Sequence, residues 1–77
     1  MALIKAFTNR LMDRPTLHEE IEASYSVFEK DGRKLMQIDS YGRESRQIPG
    51  KKSQTNQLDK EGATALFKIL QREFDLR

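Results

Sequence analysis

From Ile21 to Phe28 the chain is built of short, β-branched and aromatic residues, and after Lys30 it places Asp31-Gly32, a pair suited to a two-residue turn. The pattern predicts a β-hairpin. With Lys30 opposite Arg33, one side of the ribbon pairs Val27 with Met36, Tyr25 with Ile38 and Ala23 with Ser40, and is mostly apolar. The other side pairs Phe28 with Leu35, Ser26 with Gln37, Ser24 with Asp39 and Glu22 with Tyr41, so it is expected to be wetter, and basic at its turn end. Further on, Ala63, Leu66, Phe67, Leu70 and Phe74 recur at helical spacing behind Asp59, which suits an N-cap, and Glu61, which suits the positive end of a helix. One side of this helix, over residues 59–75, is expected to be buried.

The remaining segments are less patterned. Residues 51–58 suit a further strand, although Ser53, Gln54, Thr55, Asn56 and Gln57 give it almost no apolar face. Tyr41-Gly42 and Pro49-Gly50 bracket a polar loop that displays Arg43 and Arg46. In the N-terminal segment, Leu3, Phe7 and Leu11 fit a helical stripe, residues 2–7 fit a sheet edge equally well, and Pro15 ends either version. The expected order is an N-terminal element within residues 1–18, strands within 19–58, and a helix. These 77 residues form one α+β domain, 1–77, whose own core is marginal at this size, so dimerisation is expected.

Charge changes the picture from fold to partner. Residues 30–52 hold Lys30, Arg33, Lys34, Arg43, Arg46, Lys51 and Lys52 against Asp31, Asp39 and Glu44, a net +4, while the rest of the chain holds seven basic and nine acidic residues, a net −2. A polyanion responds to that local density and not to the overall +2. Tyr41 lies within the basic stretch and Phe28 adjoins it, so rings stand among the cations. No cysteine is present to form a disulfide or a thiolate metal site, which fits a reducing cytoplasm. The apolar run of Ala2, Leu3 and Ile4 is too short for a signal-peptide core or a membrane span. A soluble protein is expected.

The run YSVFEKDGRKLMQIDSYGRESRQIPGKKSQTNQLDKEGATALFKIL, from Tyr25 to Leu70, resembles the transcriptional coactivator family called positive cofactor four, a group of single-stranded DNA-binding proteins. What matches is a strand, the turn Lys30-Asp31-Gly32-Arg33-Lys34, and a second strand ending in Tyr41; then come a loop closing on Pro49-Gly50-Lys51-Lys52, a short strand ending in Leu58, and a helix. The resemblance implies a curved antiparallel sheet of about four strands followed by a C-terminal helix, with two copies dimerising through their helices. It also implies that Lys30, Arg33, Lys34, Lys51 and Lys52 hold the sugar-phosphate backbone while Tyr41 meets unpaired bases. Three positions depart from the family pattern: Phe28 stands two residues early, Gly42 replaces an aromatic residue, and Asn56 replaces an apolar one. The departures bear on base stacking more than on phosphate binding.

The expected function is therefore binding of single-stranded DNA, with RNA as a possible ligand, with little sequence preference, in transcription or repair, by a cytoplasmic homodimer. Its candidate contacts are Lys30, Arg33, Lys34, Tyr41, Arg43, Arg46, Lys51 and Lys52, converging in one groove. The competing reading is a protein-interaction module whose basic loop, residues 43–52, docks on an acidic partner. Duller readings stand beside each feature: the turn cluster as a charged tip that discourages edge pairing, Tyr41 packed at a sheet margin, and Phe28 with Leu35 as a second core surface. Catalysis is not expected, because His18 is the one histidine and the serines lack a nucleophile elbow. His18 beside Glu19 and Glu20 lacks a second histidine or cysteine for a metal site, and no cofactor is expected.

Overall fold

The computed structural model describes residues 1–41 and 54–77. They form an α+β fold of four strands, β1 (Ala2–Ile4), β2 (Ala23–Lys30), β3 (Arg33–Ser40) and β4 (Gln54–Leu58), followed by one helix, α1 (Lys60–Phe74). The sheet order is β1-β4-β3-β2.

The hairpin forms in the register that its sequence predicts, from Lys30 opposite Arg33 to Ala23 opposite Ser40. Asp31 and Gly32 both take positive φ, 54° and 75°, which matches the right-handed twist of the strands they join. β4 then pairs antiparallel with β3, setting Leu58 opposite Met36 and Thr55 opposite Asp39. The sheet is mixed, not wholly antiparallel as expected, because β1 runs parallel to β4 with Ile4 beside Leu58. Of the two readings of the N-terminal segment, the sheet edge is the one adopted.

Side-chain alternation divides the sheet into two faces. The first carries Lys30, Arg33, Phe28, Leu35, Ser26, Gln37, Gln57, Asp39 and Thr55; the second carries Val27, Met36, Leu58, Tyr25, Ile38 and Asn56. Burial does not follow polarity. Leu35 and Asp39 are buried on the first face, whereas Tyr25 is 70% exposed on the more apolar second face.

Asp39 tolerates burial because its oxygens are met. Gln37 Nε2 donates to both at 3.2 Å and Thr55 Oγ1 donates to Oδ1 at 2.7 Å, while Gln57 Nε2 donates to Gln37 Oε1 at 3.0 Å. Four polar side chains thus knit β3 to β4 across a face that sequence hydropathy marks as wet.

α1 touches the sheet mainly at its start. Gly62 is buried, and a Cβ there would overlap the carbonyl oxygen of Ile4 and meet Leu58 Cδ2 at 3.4 Å. Ala63, Leu66 and Ile69 are half-buried, but Phe67, Leu70 and Phe74 of the predicted stripe remain exposed. The single chain therefore leaves one helix face and the β2 part of one sheet face, at Tyr25 and Val27, uncovered. Its accessible surface is 7343 Å², against about 4,850 Å² for a compact monomer of this mass.

Candidate nucleic-acid interface

The tight turn carries the candidate cations to the end of the ribbon, where side chains project beyond the core. Lys30 and Arg33 form the closing pair and share the first face. Lys34 pairs with Glu29 and therefore belongs to the opposite face. Within the hairpin, strand alternation reverses the side at each residue, so adjacent Arg33 and Lys34 flank the tip and do not share one face.

Lys30 and Lys34 are exposed and have no ion-pair partner among the described residues. Arg33 is already partly engaged, with Nη1 3.9 Å from Asp59 Oδ2. Asp59 is the centre of a second charged group that the sequence reading recognised only as a cap. It accepts from the Gly62 N–H at 2.9 Å and from Lys5 Nζ at 2.6 Å, and Lys5 Nζ also lies 3.4 Å from Glu61. The Lys5 hydrogen bond, then the Gly62 N–H, hold the Asp59 carboxyl below the ordinary aspartate value of 3.8, and the same bond to Asp59 raises Lys5 above 10.5. Lys5 gave no signal in the sequence, because only the parallel pairing of β1 brings it to the helix start.

Tyr41 lies just beyond the other end of β3, about 25 Å along the strand from Arg33. Its hydroxyl is 3.0 Å from Ser24 Oγ, and its ring lines a shallow hollow with Glu20, Ile21 and Glu22. Within one chain the ring and the tip cations are thus separate, and the ring stands among carboxylates. Arg43, Arg46, Lys51 and Lys52 lie outside the described residues.

No protein-family model, curated protein or solved structure matched the chain. Among the described residues no group of three or more histidine, cysteine, aspartate or glutamate side chains could hold a metal ion, and no helix is long and apolar enough to cross a membrane.

Proposed function

We propose that the protein binds unpaired nucleic-acid strands, single-stranded DNA first, through phosphate contacts at the β2–β3 tip and the basic residues of segment 42–53. The observation that carries this reading is the pair of exposed lysines, Lys30 and Lys34, which have no ion-pair partner among the described residues and flank the turn on opposite faces. Cations so disposed suit a flexible strand that bends around the tip and meets both, whereas a stiff duplex cannot do so without a large bending cost. Each phosphate neutralised releases counterions, which yields affinity without sequence preference.

The resemblance to positive cofactor four points the same way and adds Lys51 and Lys52, and the local charge of the sequence adds Arg43 and Arg46. It also supports a homodimer, as do the exposed Phe67, Leu70 and Phe74 of α1, which offer a second copy a stripe of apolar surface. Binding is a better reading than catalysis for a chain whose cations are displayed and whose two buried carboxylates among the described residues are already engaged, Asp39 by the Gln37 amide and the Thr55 hydroxyl and Asp59 by Lys5 and the Gly62 N–H. A cytoplasmic setting and a part in transcription or repair belong to this same proposal.

Titration of a labelled single-stranded oligonucleotide and its duplex at matched salt tests it. The single strand should bind more tightly. Equal affinity for the two would reject the wrapping mechanism, and failure to bind either would favour docking of the basic loop on an acidic protein.

A further inference from the structure

The two edges of the sheet are protected very differently. β1 is three residues long, and short edge strands recruit partners poorly. β2 is eight residues long, contains no proline, and carries no charge from Ala23 to Phe28. All its residues are exposed except the half-buried Phe28. Because Lys30 and Arg33 close a two-residue turn, the even positions of β2 bond to β3, and Ala23, Tyr25, Val27 and Glu29 turn their N–H and C=O groups toward open solvent.

We propose that β2 pairs antiparallel with β2 of a second copy, about a two-fold axis through Ser26, to make one continuous eight-stranded sheet. The sequence is self-complementary in that register. Ser26 meets itself, Tyr25 meets Val27 twice, Ser24 meets Phe28 twice, and Glu22 meets Lys30 twice. Moving the axis by one residue shifts the pairing by two: toward Tyr25 it breaks Glu22 from Lys30, sets Glu22 against Phe28 and leaves Glu20 opposite Lys30, and toward Val27 it loses both ion pairs and sets Glu29 against Tyr25. Glu22 and Lys30 are exposed and have no ion-pair partner among the described residues. Aromatic and β-branched neighbours across strands are favourable, and the pairing covers the exposed Tyr25 and Val27.

The contact also joins what the single chain keeps apart. Lys30 of the second copy enters the acidic hollow formed by Glu20, Glu22 and Tyr41, so that the turn end of one hairpin abuts the tyrosine end of the other. This interface uses the edge of β2 and not the stripe of α1, and it does not need nucleic acid; where it forms, Lys30 is engaged by Glu22 and Lys34 is the tip lysine that remains for phosphate. If both self-contacts form, the chain assembles as a dimer of dimers.

The absence of cysteine makes the test clean. Ser26→Cys places two thiols across the axis at a non-hydrogen-bonded pair, where Cβ atoms come within about 4.5–5.5 Å, near disulfide spacing. It should oxidise to a covalent dimer at micromolar concentration at least about tenfold faster than Ser24→Cys, whose thiols would lie four residues apart along the ribbon. Val27→Pro removes an outward N–H and no bond to β3, so it should halve the native mass while circular dichroism keeps the fold. Lys30→Glu should also lower the mass, and Glu22→Lys with Lys30→Glu should restore it. Equal oxidation of the two cysteine variants, or a native mass untouched by both Val27→Pro and Lys30→Glu, overturns the edge contact. Oligonucleotide binding by the parent, measured separately, tells that failure apart from failure of the proposed function.

Discussion

Asp59 shows how much one side chain can organise. It caps α1 through the Gly62 N–H, receives Lys5 from just past β1 and approaches Arg33 from β3, so the helix, the end of the edge strand and the hairpin share a single carboxylate. Its lowered pKa fixes the sign of a pH effect. Between the folded value and 3.8 the unfolded chain binds the proton more readily, so stability from this group is present above pH 4 and lost as the pH falls through the folded value. Lys5, raised above 10.5, contributes fully below that pH and loses its contribution as the pH rises through the folded value. Asp59→Asn should keep the cap and flatten the acid limb of a plot of Tm against pH; Asp59→Ala should lose the cap as well and melt several degrees lower. An unaltered acid limb in Asp59→Asn would remove Asp59 from this role. Gly62 makes a sharper case, because alanine normally favours a helix by about 1 kcal/mol over glycine. Here the Ile4 carbonyl occupies the space, so Gly62→Ala should lower stability to denaturant, and a gain would show that β1 does not approach so closely.

At the scale of elements, the hairpin was the most legible part of the sequence. Asp31-Gly32 dictates the turn, and the turn dictates every pairing from Lys30 and Arg33 to Ala23 and Ser40. The helix was legible from Asp59 and the stripe ending at Phe74. Less legible was how burial would be shared, because hydropathy favours the side of Tyr25, Val27 and Ile38, while the structure buries residues on both sides, Leu58 on that one and Leu35 and Asp39 on the other, where Gln37, Thr55 and Gln57 form the hydrogen-bonded set. That set forms only when β4 meets β3, a long-range pairing that no local pattern encodes. The candidate site divides in the same way. Its turn cations were visible as a cluster, but the opposition of Lys34 to Arg33 follows from pleating, and Lys5 entered only through parallel pairing. The C-terminus of α1 carries its own prediction: Asp75 takes the left-handed conformation at φ 53°, with its N–H on the Gln71 carbonyl. Glycine adopts that conformation without a Cβ penalty, so Asp75→Gly should stabilise by about 0.5–1 kcal/mol, read by urea denaturation. Destabilisation would mean that the aspartate side chain holds the helix end.

At the scale of the whole molecule, the single chain is open. A radius of gyration of 14.6 Å compares with about 11.5 Å for a compact domain of this length. The excess goes with residues 5–22, exposed and outside any strand or helix, and with uncovered surface on α1, at Tyr25 and Val27, and along the edge of β2. Assembly stabilises the folded state by mass action, so Tm should climb as protein concentration rises a hundredfold, by about 2–3 kcal/mol in apparent stability. A Tm independent of concentration would make the monomer self-sufficient.

The central claim is that cations at the hairpin tip neutralise phosphates of an unpaired strand. It is tested most directly by the dependence of log Kobs on log salt for one single-stranded oligonucleotide, measured with the parent and with Lys34→Ala. The account predicts weaker binding for the variant and a slope shallower by about 0.7 for each lost phosphate contact. Identical affinity and slope in the two proteins would contradict it.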